Sequence, residues 1–224
     1  MLAATLEKRI KNLERRSTRK SFPSVHEAET VPPVGVGATF VDTHPGGFQV
    51  FVAPLRLHGY LQVFRASAVI RSNVQDGTPV QAGMAIYKYS TSPYEVTDPI
   101  KGSEPYSLRL VAKFGVITHT ETAETATQVP SRFNSDLVRS VVLDPRSGVF
   151  FVAYQTNAYG SWLCPGYSVG DRARRKGRKT GHVGASADDF PDNLTVNAQA
   201  APVPWIALRS SLGVRLYGDV ETHG

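Results

Sequence analysis

Apolar positions along this 224-residue chain change their period near residue 40. Before it, Ala3, Leu6, Ile10 and Leu13 recur at three- and four-residue steps, the spacing of one helix face. With Ala3 and Ile10 at heptad position a, Leu6 and Leu13 fall at d, Glu7 and Glu14 at e, and Arg9 at g. A seam of this kind is buried only against another helix, so residues 1–20 predict an amphipathic helix for attachment or self-association. An Arg at g reaches a Glu at e of a parallel neighbour, which pairs Arg9 with Glu14. Two heptads are marginal alone in water, so the body behind them must supply most of the assembly energy. Residues 21–39 then read as a Pro/Gly linker, with Pro23, Pro32, Pro33, Gly35 and Gly37 excluding helix. Such a stretch either separates a stalk from a body or wraps along the body.

From Phe40 the periodicity becomes strand-like. Phe48–Ala53 is apolar on both faces, as a strand buried on both sides would be. Tyr60–Arg71 and Met84–Tyr89 are aromatic and β-branched, with the Asp76-Gly77 turn signal between them. Leu108, Leu110, Ala112, Phe114 and Val116 alternate with Arg109 and Lys113. Leu137–Leu143 and Val149–Gln155 flank Asp144-Pro145-Arg146-Ser147-Gly148 and predict a hairpin. Val203–Arg209 and Gly213–Gly218 predict a last one. Residues 159–199 show little periodicity and predict a long insertion. Eight short strands within residues 40–224 predict a mainly β domain, an antiparallel β-sandwich of jelly-roll type preceded by a short α-helix.

Charge sharpens this division. The net charge is +6. Residues 1–20 hold seven positive and two negative charges, and residues 171–179 six positive and one negative, so each island carries +5 and the remainder −4. The chain therefore reads as a mildly acidic body with two basic islands. Lys8, Lys11, Arg15, Arg16, Arg19 and Lys20 form the first; Arg172, Arg174, Arg175, Lys176, Arg178 and Lys179 form the second. The second reads as a loop that meets an anionic partner such as phosphate or the acidic body of another copy.

Candidate chemistry is sparse. The sequence has no Gly-x-Ser-x-Gly elbow, phosphate-binding Gly loop or His-Glu-x-x-His pair, and its six histidines lie singly. No catalytic residue, metal site or cofactor is expected, and the chain is read as non-enzymatic. Asp188, Asp189, Asp192 and Asn193 offer oxygen ligands of the kind Ca²⁺ uses but lack EF-hand spacing, so they read as an acidic loop. Cys164, alone, supports no internal disulfide. Tyr154, Tyr159, Trp162 and Tyr167 gather where the hairpin leaves the sheet; they suit either a glycan or protein interface or the end of the core. No apolar run reaches the roughly 18 residues of a membrane span, and charges from Glu7 onward are unlike a secretory signal.

The order Arg9, apolar, any, any, apolar, Glu14 resembles the short trimerisation motif of parallel three-stranded coiled coils. With the linker, the Val141–Tyr154 hairpin and the Gly83-Met-Ala-Ile-Tyr87 strand, the layout resembles bacteriophage virion proteins: head fibres, capsid decoration proteins and tail-fibre tips. That resemblance implies a homotrimer, made in the host cytoplasm and anchored by its helix to other virion proteins of capsid or tail. Its sandwich would face outward, with a host surface glycan as partner. The alternative is a jelly-roll coat protein whose basic N-terminal arm binds packaged nucleic acid.

Overall fold

Strand-forming sequence dominates the body, and strands are what the computed structural model contains. It describes residues 27–30, 39–42, 47–55, 57–71, 79–89, 106–119, 131–157, 161–164, 177–201 and 203–210. The helix expected over residues 1–20 lies outside these, as do Gly213–Gly218. In chain order the strands are β1 (Glu27–Glu29), β2 (Thr39–Asp42), β3 (Phe48–Leu55), β4 (Leu61–Arg71), β5 (Val80–Tyr89), β6 (Tyr106–Lys113), β7 (Ile117–His119), β8 (Ser131–Leu143), β9 (Val149–Thr156), β10 (Ser161–Cys164), β11 (Gly177–Gly184), β12 (Asn193–Ala201) and β13 (Ile206–Arg209).

Every ladder is antiparallel, and eight of the strands pair in a nested way. Reading β1, β3, β4, β5, β6, β8, β9 and β13 as first to eighth, the first pairs the eighth, the second the seventh, the third the sixth and the fourth the fifth. Two further ladders, β13–β4 and β9–β5, join these pairs laterally. The result is one sheet ordered β1-β13-β4-β8 and a second ordered β3-β9-β5-β6. β10 continues along the β13 side of β4 and carries β2.

The hairpin β11–β12 then alters the second sheet. β11 pairs with β3 and β12 with β6, so β3-β9-β5-β6-β12-β11 closes into a six-stranded barrel, with β7 beside β5. The described residues of the stretch that reads as an aperiodic insertion thus contain three strands, and two of them complete the barrel. At the β11–β3 seam the register slips between Lys179 and Val183. The buried Gln49 side chain fills the slip: its Nε2 donates to the carbonyls of Thr180 (2.8 Å) and His182 (3.0 Å), and Thr180 Oγ1 donates to the Val50 carbonyl (2.8 Å).

Two cores follow from strand alternation. Val50 and Val52 of β3, Ala85 and Tyr87 of β5, Leu108 of β6, Phe151 and Ala153 of β9, and Leu194 and Val196 of β12 fill the barrel. The intervening residues Phe51, Ala53 and Leu55, Met84 and Ile86, and Phe150, Val152 and Tyr154 point out of it, against Leu61, Val63, Ala66, Ala68, Leu137 and Leu208 of the other sheet. Strands β3, β5 and β9 are therefore buried on both faces, which explains why the apolar residues of Phe48–Ala53 fall on both faces of the strand. Burying each large apolar side chain contributes about 1.5–3 kcal/mol. The alternation expected from Leu108 to Val116 breaks part-way. A bulge opposite Ile86 and Tyr87 leaves Val111 extra, so Leu108 faces the barrel while Phe114 joins the core between the layers. Val116, past the strand end, is 41% exposed.

Candidate interaction surfaces

The outer face of the β1-β13-β4-β8 sheet is built of pairs. Arg65 of β4 stands opposite Asp136 of β8, and its guanidinium grips the carboxylate with two bonds, Nε to Oδ1 at 2.6 Å and Nη2 to Oδ2 at 2.9 Å. That contact holds the Asp136 carboxyl below its ordinary range and raises Arg65. Gln62 donates to Ser140 and Ser67 to Asn134 across the same ladder. At the far edge Arg209 donates to Glu27 (3.0 Å) and Trp205 Nε1 to Glu29 (2.9 Å). Burial pushes the Glu29 carboxyl up, against the pull of the Trp205 bond. Thr30 fastens the end of β1, with Oγ1 donating to the Pro204 carbonyl at 2.6 Å and its backbone N–H to Ile206 at 3.0 Å. Three residues of the stretch read as a linker are thus a strand of this sheet.

One end of the barrel is stoppered by the β11–β12 connection. Phe190 enters the barrel core, and Tyr87 Oη donates to the Pro191 carbonyl at 2.6 Å. Burial drives the Tyr87 phenol well above its usual range. Gln155, buried in β9, aims Nε2 at the carbonyls of Ser186 (3.1 Å), Ala187 (3.0 Å) and Asp189 (3.3 Å). Gly83 lets the Ala187 backbone lie directly on β5. Inside the barrel Tyr106 packs edge-on to Tyr89, and burial pushes its phenol up to about 12, with the Arg178 charge acting in the opposite sense.

No protein-family model and no characterised protein matches this chain. The surfaces must therefore be judged on their own chemistry.

The sequence candidates distribute as follows. Tyr154 is fully buried between the layers, its ring 5.8 Å from that of Phe51, so it lines the core and is not a surface aromatic. Trp162 lies in β10, its backbone opposite Val41 and Ile70. Arg178 and Lys179 are in the barrel strand β11, opposite Val52 and Phe51, where the sequence suggests a loop. The rest of that run, residues 171–176, lies outside the described residues, as do Tyr159, Tyr167 and all the seam and arm residues from Ala3 to Lys20. Of the acidic loop, Asp188 accepts from Ser186 Oγ (2.6 Å), which lowers its carboxyl, and Asp189 accepts from the Ala185 N–H (2.8 Å). Among the described residues no three His, Cys, Asp or Glu side chains converge on a metal position.

A row that motif reading passes over crosses the barrel from the end of β5 to β12. Lys88 of β5 is directly opposite Arg109 of β6, and Arg109 is opposite Asn193 of β12. Ser107 and Thr195 form the next outward pair along the same two strands. Arg109 and Lys113 are the outward residues of the strongest alternation in the sequence, which was the available signal. Lys88, by contrast, is recognisable only once pairing is known.

Proposed function

We propose that the chain is a non-enzymatic virion structural protein, a jelly-roll shell subunit whose basic N-terminal arm binds packaged nucleic acid. The observation that carries this reading is the nested pairing of the eight strands. First-with-eighth through fourth-with-fifth pairing is what a long hairpin produces when it rolls up into two facing four-strand sheets. Jelly rolls of that kind build viral shells and lectin domains. The +5 charge of residues 1–20 suits the shell use, since an arm rich in Lys and Arg binds phosphates by releasing their counterions. In this reading the short helix over residues 1–20 lies on the arm, and the virion is the protein's location. The burial of Tyr154 gives less support to a glycan-binding face at the end of the sandwich.

Two measurements on purified full-length protein test the proposal: the 260/280 nm absorbance ratio, and the mass by light scattering. Particles of many copies carrying nucleic acid are expected. Discrete trimers free of nucleic acid would refute the shell role and favour the fibre or decoration role, with Ala3, Leu6, Ile10 and Leu13 as the three-fold seam.

A further inference from the structure

We infer that β11 is a releasable strap: it leaves β3 and opens the barrel along that seam while the rest of the molecule stays folded, whether or not the chain builds a shell. None of the buried apolar side chains of either core comes from β11. Its eight residues include Gly177, Gly181 and Gly184, and its one aliphatic side chain, Val183, is 58% exposed. Release therefore uncovers little apolar surface of the strand's own and returns the large backbone freedom of three glycines. Arg178 stands opposite Val52 and Ala200, which puts it on the barrel side of the strand, and its charge acts on the Tyr106 phenol there. A cation on an inward face is better solvated once the strand is out.

What holds β11 to β3 is polar. Gln49 Nε2 donates to the Thr180 and His182 carbonyls and Thr180 Oγ1 to the Val50 carbonyl, and water can serve all of these groups once the seam parts. The ladders of β11 are broken on both sides, by the slip between Lys179 and Val183 against β3 and by another between Arg178 and Thr180 against β12. β9 is the contrast: it pairs without a slip with β3 and with β5, and it buries Phe150, Phe151, Val152 and Tyr154. β12 also stays in place, through its unbroken ladder to β6 and the buried Leu194 and Val196. The far end of β11 is fixed, because the Ala185 N–H donates to Asp189 and the stopper behind it is held by Gln155 and Phe190. Gly184, just before that anchor, and Gly181 supply the pivots. Opening leaves the N–H and C=O groups along one side of β3 unpaired, the condition in which a sheet margin accepts another strand. β11 thus decides when β3 is available.

The test is hydrogen exchange of the full-length protein at neutral pH, read by mass spectrometry. In wild type the amides of residues 178–184 should exchange faster than those of β5 and β9 and respond only weakly to low urea, since a parted seam exposes far less surface than global unfolding. Leu61→Ala weakens the packing between the layers, which the opened form retains. It should therefore speed the β5 and β9 amides about 30-fold or more and leave those of β11 unchanged. Gln49→Ala weakens the closed seam itself and should speed the β11 amides about tenfold or more. β11 amides that match β9 in rate and urea response overturn the inference, as do β11 amides that Leu61→Ala accelerates as much as those of β9. An unchanged β11 rate in Gln49→Ala overturns it too, and so does a β11 with no protection at all, because the strap would then never close. Should Leu61→Ala fail to fold, the wild-type urea series decides alone.

Discussion

The contact between Gly83 and the barrel stopper makes a sharp stability prediction. A methyl group at Gly83 would overlap the Ala187 carbonyl oxygen outright, lie 2.8 Å from the Ala187 carbonyl carbon and 3.1 Å from Phe190 Cε2. The obstacle is backbone, which cannot rotate aside as a side chain can. Overpacking of a filled core costs about 1–3 kcal/mol. Here relief requires the stopper to lift, which also breaks the bonds from Gln155 Nε2 to Ser186 and Ala187, worth about 1 kcal/mol each. Gly83→Ala should therefore destabilise by roughly 3–5 kcal/mol. At about 2–4 °C per kcal/mol for a chain of this size, the thermal midpoint should fall by ~6–20 °C. Gly181→Ala is the matched control. Nothing lies within 4 Å of a Cβ there, so it should be neutral or stabilising by up to about 1 kcal/mol. Urea unfolding of both variants reads the difference, and amide exchange over residues 185–192 locates it. If Gly83→Ala and Gly181→Ala unfold at the same urea concentration, the stopper does not pack against β5 as described.

Two other perturbations probe the barrel seam and the edge strand. Gln49→Ala leaves the Thr180 and His182 carbonyls without their donor and should cost about 2–4 kcal/mol in urea unfolding; a loss below half a kcal/mol would show that the ladder closes without it. Glu29 has a folded pKa above its unfolded one, so the neutral form favours folding: its contribution is full at low pH and is lost as pH rises through the raised value. Glu29→Gln keeps an acceptor for Trp205 and should therefore raise stability at neutral pH while matching wild type below the ordinary carboxylate range, and a gain that is the same at pH 3 and pH 7 would contradict this assignment.

The mainly β character was readable in the sequence, because burial leaves a mark on pattern. The apolar residues on both faces of β3 and β9 announce strands covered twice, but the Asp144–Gly148 turn, which reads as the turn of a hairpin, carries the chain from β8 in one sheet to β9 in the other, and the two strands do not pair. Barrel closure was harder to read. β11 carries Gly177, Gly181 and Gly184 and two cations, and it is held by backbone pairing and by Gln49 and Thr180, none of which produces hydrophobic alternation. β12 does alternate, through Leu194 and Val196, but over too short a span to stand out beside the basic run. The three residues of β1 are masked by the prolines around them. The Lys88–Arg109 row is invisible in one dimension: the two residues are 21 positions apart, and only the bulge at Val111 brings them opposite each other.

Closing the barrel also decides how copies of this chain can grow together. An open sheet has two terminal strands, and strands added at both propagate without limit. Here β3 and β6, which would be the free margins of the second sheet, are already occupied by β11 and β12. Among the described residues the remaining margins are the three- and four-residue strands β1, β2 and β7, and the thirteen-residue β8. β8 is interrupted where its register jumps against β4, a slip that exposes Val138 completely. Irregular edges of this kind discourage templating. Among the described margins, strand pairing through β8 therefore stops at two copies and does not propagate into a stacked sheet.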